Sequence, residues 1–249
     1  MTILHAHAKL TWSLEITGRR DDGYHELRSE MVTVDFTDRL IVNESADYLR
    51  VVTQDAAVPT DGSNLVVRAL RLVGRRAGVT LEKHIPSGAG LGGGSADAAA
   101  ILRWAGGVTN EQALSLGSDV PFCQLGGRAL VEGVGERLTP LNFEAREVTL
   151  VLADFRVDTA QCYRAFDELV STGWTPSGNN HLEVAAGLVE PRLARTLAWA
   201  REHLADEVRL AGSGSSMFVT GHLRGDVEHW DVEGPEGRLR LVQTTTTPA

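Results

Sequence analysis

Cysteine is nearly absent: the 249 residues contain two, Cys123 and Cys162. They lie far apart without metal-ligand spacing, which excludes a cysteine metal centre and a disulfide framework. One bridge is the most the chain can form, and reduced thiols in a cytoplasmic protein are the expected state. Long apolar runs are missing too. No stretch approaches the roughly 18 residues needed to span a membrane. The opening MTILHAHAKL lacks the basic and apolar regions of a signal peptide, so none is expected. Positive charge is in short supply, with 24 Lys and Arg against 33 Asp and Glu, a formal charge of −9 and a pI of about 5.4. That balance argues against nucleic acid or an anionic membrane as partner. A site for a phosphorylated ligand must then be local, built from backbone N–H groups and one or two lysines. Repeats and low-complexity segments are absent apart from the run Thr244 to Thr247, which is expected to fray. The remaining composition is ordinary for a globular chain, 43% hydrophobic and 23% charged, at a length that suits one large or two modest domains.

Glycine, by contrast, is concentrated. In IPSGAGLGGGSADAAA, from Ile85 to Ala100, five glycines (Gly88, Gly90, Gly92, Gly93 and Gly94) separate a β-like run, Val79 to Ile85, from an alanine-rich helical run. Ser95 is its expected cap. Glycine permits left-handed backbone and leaves no side chain between backbone and ligand. A helix starting there directs unpaired N–H groups and its positive dipole end into one space. That is an anion site, most often for phosphate.

Around this loop the chain alternates between strands and helices. From His5 to Ile16, Ala6, Ala8, Leu10, Trp12, Leu14 and Ile16 share one face; His5, His7, Lys9, Thr11, Ser13 and Glu15 share the other. This predicts one half-buried strand with a polar face. His5 and His7 lack a third ligand, so metal binding is not expected. The turn GRRDDG delivers Tyr24 and His25 into a strand from Leu27 to Phe36. Either these two rings pack at a hairpin or they form a platform for a planar ligand. Leu40 to Val42 and Tyr48 to Thr53 read as short strands, followed by a helix from Asn64 to about Arg76 capped by Ser63. Leu65, Ala69, Leu72 and Val73 form its apolar stripe. Asn110 is read as the cap of a brief helix to Leu116. In LGSDVPF, Asp119 is the sole carboxylate among apolar neighbours, as a turn or capping residue or as a functional one. A hairpin over 129–141 precedes a domain boundary near residues 143–146, giving domains 1–145 and 146–249. The second domain reads as a strand from Val148 to Ala153, helices over 159–169, 182–188 and 193–204, a glycine turn AGSGSSMF, and strands at 208–210, 218–220 and 239–242.

The glycine loop satisfies G-x-G-x-x-G literally, yet the acidic residue of a dinucleotide site falls here in a helix-start context near Asn110. No lysine with serine or threonine follows, so the loop is not a Walker A motif. Neither H-R-D nor D-F-G follows, so it is not a protein-kinase loop. The pattern P-x-x-x-G-L-G-G-G-S-x-D-A-A-A from Pro86 instead resembles the phosphate-binding signature of the GHMP kinases, such as galactokinase, homoserine kinase and mevalonate kinase. Within that superfamily it is most similar to the 4-diphosphocytidyl-2-C-methyl-D-erythritol kinases. AKLTWSLEITGRRDDGYHEL, LGSDVPF and LAGSGSSMF occur in that family's order.

This resemblance implies a two-domain α+β fold, with an N-terminal domain like ribosomal protein S5 and a ferredoxin-like C-terminal domain. It implies ATP with Mg²⁺, the metal arriving mainly on the phosphates, and phosphorylation of a hydroxyl of a cytidine diphosphate-linked methylerythritol in isoprenoid precursor synthesis. Lys9 and Asp119 would be catalytic. Pro86, Gly88, Ala89, Gly90, Leu91, Gly92, Gly93, Gly94 and Ser95 would hold ATP. Tyr24, His25 and Tyr163 would hold cytosine, with Thr11, Thr159, Gly212 and Gly214 as further substrate contacts. Three features depart from the family. Thr11 stands where asparagine is usual, Ala96 replaces a second serine and removes a hydroxyl beside the phosphates, and 105–116 is short. These departures keep two alternatives open, a GHMP kinase for another small alcohol and a nucleotide-binding relative without catalysis.

Overall fold

The computed structural model describes residues 1–249, which form two antiparallel-rich sheets, each backed by helices. The first half begins with β1 (Thr2–Thr11), β2 (Glu15–Arg19), β3 (His25–Asn43) and β4 (Tyr48–Val52). Helix α1 (Leu65–Leu72), β5 (Gly78–Glu82) and α2 (Gly93–Trp104) follow, then α3 (Asn110–Leu114), α4 (Val120–Leu125), β6 (Arg128–Gly133) and β7 (Arg137–Pro140). The second half comprises β8 (Glu147–Ala153), α5 (Thr159–Ser171), α6 (Glu183–Val189), α7 (Pro191–His203), β9 (Arg209–Leu210), β10 (Met217–Thr220), β11 (His229–Gly234) and β12 (Gly237–Thr245). Strands β4-β5-β3-β6-β7 form the path of the first sheet, with β1 and β2 also paired to β3; the second runs β11-β12-β8-β10-β9. Only β4 and β5 pair in parallel.

The 19-residue β3 is the spine of the first half. Its far end pairs with β1 and β5, and its near end pairs with β2 and β6. Leu40 to Val42 therefore belongs to β3 and is not a separate strand. The strand expected over His5 to Ile16 is broken into β1 and β2, and β1 is half-buried only in its first part, where His5 is exposed and Ala6 buried. Lys9 and Thr11 are 6% and 2% exposed, so the polar face is enclosed by other parts of the chain at these two residues. The pairing of β1 with β3 shifts register between His7 and Lys9, a bulge that sits next to Lys9.

Helix caps moved by a few residues from their expected places. The side chain of Asn64, not Ser63, caps α1 by accepting from the Val66 N–H. Its fully buried contacts are Val66, Ala69 and Leu70, an i, i+3, i+4 set, while Leu65, Leu72 and Val73 are only partly buried. Thr109, with Gln112, forms the capping box of α3 in place of Asn110. Gly92, at φ +66°, precedes α2 in place of Ser95. The run Thr244 to Thr247 does not fray: Thr246 bridges to Val34, and the Thr247 N–H donates to the Thr33 carbonyl at 3.0 Å. Strand β11, at the edge of the second sheet and alternately exposed, is an additional strand that the sequence pattern does not predict.

Each half has its own core, one of 23 buried residues drawn from Ala6 to Val131 and one of 18 centred on β8, α5, α6 and α7. A third cluster of 13 joins them, packing Ala8, Leu10, Ile85 and Leu91 against Leu150, Ala211 and Phe218. We propose a domain division near residue 145, in the connection between β7 and β8. The third cluster makes the seam between the halves a packed apolar surface.

Candidate active site

Two cavities lie along that seam. The smaller, about 400 Å³, is lined by the glycine loop (Pro86, Gly88, Ala89, Gly90, Gly92, Gly93, Gly94 and Ser95) together with Val58, Pro59, Lys83 and Asp97. The larger, about 610 Å³, is lined by Lys9, Thr11, Tyr24, His25, Thr159, Tyr163 and Gly212. Gly90, Ser95, Asp119 and Thr159 line both. A ligand in one cavity can therefore meet a ligand in the other at Asp119.

The glycine loop is shaped for an anion. Its first helical hydrogen bond is Ala96 N–H to the Gly92 carbonyl, so the N–H groups of Gly93, Gly94 and Ser95 precede the intrahelical ladder. Gly90, at φ +80°, abuts the second glycine turn: a Cβ there would lie 2.4 Å from the Ala211 carbonyl oxygen and 3.0 Å from that of Gly214. The Ser216 N–H donates to the Ala89 carbonyl at 3.0 Å, so the two turns hold each other. Leu91 turns its side chain into the third core cluster and lines neither cavity; its carbonyl accepts from the Lys9 N–H at 3.0 Å. Gly214 also lines neither cavity and acts as the wall behind Gly90. Ala96 is 1% exposed within the first core. Its methyl group faces packing and not the phosphate loop, so the serine hydroxyl it lacks is not missing from the cavity wall.

Lys9 and Asp119 meet at the junction. Nζ lies 3.4 Å from the Asp119 carboxylate and donates to Thr11 Oγ1 at 3.0 Å. Thr11 thus steers Lys9 toward Asp119. Asp119 occupies the position before α4 yet makes no side-chain capping bond. Thr159 Oγ1 and Ser213 Oγ are 2.8 Å apart, linking α5 to the second glycine turn. Buried Asn180 fixes that turn by donating to the carbonyls of Leu210 and Gly212.

On the wall of the larger cavity, His25 stacks on Tyr163 with centroids 4.8 Å apart, while Tyr24 is 62% exposed and makes no ring contact. One face of Tyr163 is therefore already taken by His25. Burial first, and the Asp119 charge second, push the Tyr163 phenol up, so it stays neutral. Burial likewise pushes up the Cys123 thiol, one turn beyond Asp119.

Several residues of these walls escaped the sequence reading: Lys83, Asp97, Arg19, Arg164 and Asp167. Lys83 lies between Asp97, at 2.8 Å, and Asp38, and all three side chains are at most 5% exposed. Asp38 also accepts from the backbone N–H groups of His84 and Ile85. Burial, reinforced by the neighbouring Asp38 charge and opposed by Lys83, pushes Asp97 up to about 7. The two aspartates hold Lys83 above the usual lysine range despite its burial. A composition signal was available for Lys83: the chain has only two lysines, Lys9 and Lys83. Arg19, Arg164 and Asp167 had no such signal, because each sits among many similar surface charges.

Known proteins resemble this chain in sequence and in fold. A sequence model described as the GHMP kinases N terminal domain matches residues 64–127, the span that carries the loop and Asp119. A 4-diphosphocytidyl-2-C-methyl-D-erythritol kinase of Mesorhizobium japonicum is 34% identical, over 88% of this chain and 87% of its own. Its counterpart in Symbiobacterium thermophilum is 39% identical, over 77% and 71% respectively. The crystal structure of a 4-(cytidine 5'-diphospho)-2C-methyl-D-erythritol kinase superposes over 100% of both chains with a TM-score of 0.74 and 32% identity.

Proposed function

The chain belongs to the 4-diphosphocytidyl-2-C-methyl-D-erythritol kinases of the GHMP superfamily, and from that premise we propose how its residues carry out the reaction. The enzyme transfers the γ-phosphoryl group of ATP to a hydroxyl of 4-diphosphocytidyl-2-C-methyl-D-erythritol. The observation that carries the assignment of roles is the junction at Asp119, where a glycine-lined cavity shares lining residues with one walled by aromatic rings.

In this reading ATP lies with its phosphates against the N–H groups of Gly93, Gly94 and Ser95, and the dipole of α2 favours their charge. The polyol lies beside Lys9, Thr11 and Thr159. As the hydroxyl oxygen forms its bond to the γ-phosphorus, the bond from that phosphorus to the bridging oxygen of ADP breaks. The hydroxyl proton passes to the Asp119 carboxylate. Lys9, 3.4 Å from that carboxylate, steadies the charge that develops between them. Mg²⁺, when bound with ATP, neutralises phosphate charge. The Ser95 hydroxyl, on the wall common to the two cavities, would be the protein oxygen there to help hold it. Tyr24, His25 and Tyr163 take the cytosine, and stacking on a base is worth roughly 1–3 kcal/mol.

Incubation with ATP, Mg²⁺ and the cytidylated polyol is expected to release ADP in step with phosphorylated product. A folded protein that phosphorylates homoserine or mevalonate and leaves the cytidylated polyol untouched would sink the reading.

A further inference from the structure

Asp167 lies outside every role assigned so far. It sits on α5, one turn beyond Tyr163, and its carboxylate reaches across the seam to two residues of the β2–β3 hairpin. Oδ1 is 2.7 Å from His25 Nε2, and Oδ2 is 3.3 Å from an Arg19 guanidinium nitrogen. The rest of the His25 ring is held by aromatic neighbours from the same helix: Tyr163 stacked at 4.8 Å and Phe166 edge-on at 6.2 Å. The imidazole is 8% exposed, so its orientation is set by these three contacts. All but Phe166 of this group line the larger cavity.

A carboxylate accepts hydrogen bonds, so His25 Nε2 must carry the proton of this one. In the neutral ring Nδ1 is then an acceptor, and no other group of the protein bonds to it. An acceptor suits a donor on the ligand. The 4-amino group is such a donor in cytosine, and its counterpart in uracil is a carbonyl oxygen. Arg19, tethered by the other carboxylate oxygen, is a cation on the cavity wall beside the ring that reads the base, and the diphosphate is attached to that nucleoside.

We propose that Asp167 is the positioning residue of the cytidine diphosphate end, committing His25 Nε2 so that Nδ1 selects cytosine while tethering Arg19 beside the diphosphate. The inference rests on the functional reading above and sharpens it. Asp167 touches neither base nor phosphate; it acts through His25 and Arg19.

Binding of CDP, UDP and a non-hydrolysable ATP analogue to the intact protein, measured by calorimetry, tests this without requiring turnover. Wild type is expected to prefer CDP over UDP at least about tenfold, since a site built to bond one base edge rejects the edge lacking the donor. Asp167→Leu is expected to lose about tenfold in CDP affinity and most of that preference, with ATP-analogue affinity unchanged. Asp167→Asn keeps an acceptor oxygen and is expected to restore most of the preference. Nitrogen-15 shifts of His25 should show protonated Nε2 in wild type and a mixture in Asp167→Leu. A folded Asp167→Leu variant that retains CDP affinity and preference would overturn the proposal. So would equal losses for CDP and the ATP analogue, the mark of a purely structural residue, or a wild-type His25 protonated at Nδ1 alone. If wild type fails to phosphorylate the cytidylated polyol, the functional reading falls. If it succeeds and Asp167→Leu keeps wild-type KM for that substrate, only the role of Asp167 falls.

Discussion

Asp119 stands where a helix cap belongs and does not cap. An aspartate before a helix normally accepts from an N–H of the first turn, worth about 1 kcal/mol. Here no such bond forms, and the carboxylate faces Lys9 with 31% of its side chain exposed. A group withheld from a local stabilising bond and left accessible at the meeting of two cavities is available to a ligand. Asp119→Asn keeps the shape and removes the proton acceptor. It is expected to lower kcat by about 10² or more while ATP affinity changes little; a variant turning over at the wild-type rate would remove Asp119 from catalysis. Gly90 carries a different constraint. Gly90→Ala adds a methyl group against two backbone carbonyls at φ +80°, and neither can swing aside as a side chain would. The expected loss is about 1–3 kcal/mol in stability, seen as a lower urea midpoint, with weakened ATP binding because the two glycine turns part. An unchanged midpoint would show that the turns yield without strain.

At the scale of elements, the phosphate loop is a clamped segment. Asp38 on β3 holds the approach to the loop through the N–H groups of His84 and Ile85, and Lys83 ties Asp38 to Asp97 on α2, just past the loop. Two carboxylates share one ammonium in a buried space, and Asp97 Oδ1 has no hydrogen-bond partner. Burial and Asp38 together lift Asp97 to about 7. Its folded value thus exceeds the ordinary aspartate value of about 3.9. A raised carboxyl contributes stability that is complete below the unfolded value and is lost as pH climbs through the folded one. Between about pH 4 and pH 7 the Asp97 contribution therefore drains away. Asp97→Asn cannot ionise, so its stability relative to wild type should improve from pH 5 to pH 8. Urea titrations at both pH values check this, and parallel behaviour of the two proteins would refute it.

For the whole molecule, the last residues close the assembly. After β12 the chain leaves the second sheet and joins the first: the Thr246 N–H donates to the Arg146 carbonyl, Thr246 Oγ1 to the Glu144 carbonyl, and the Thr247 N–H to the Thr33 carbonyl. Ala249 lies against Gly126 and Gly127, where a Cβ on Gly127 would come within 3.0 Å of it. With the bond that Thr246 Oγ1 accepts from the Arg146 N–H, removing residues 246–249 deletes four such bonds at roughly 0.5–1.5 kcal/mol each. A loss of about 2–4 kcal/mol is expected, with KM rising for both substrates because the cavities lie on the seam this segment fastens. Chemical denaturation and steady-state kinetics of the shortened chain read both effects. Kinetics unaltered beside reduced stability would separate the tail from the site.

Much of this protein was legible in its sequence because the signals were local. Five glycines before an alanine-rich helix announce an anion loop through backbone geometry alone, and the order of the lysine, glycine, aspartate and second glycine segments identifies the family. Strand and helix types followed from side-chain period, with caps misplaced by one to three residues, since competing polar side chains at a helix start are separated only by geometry. Tertiary structure decided the rest. Burial of Lys9 and Thr11 depends on the second half covering a strand whose alternation looked solvent-facing. The Lys83, Asp38 and Asp97 cluster joins β3, α2 and the segment just past β5, and Asp167 reaches His25 across 142 positions of chain. Charges so distant in sequence leave no local trace of their pairing, because the attraction acts only after the elements that carry them have packed together.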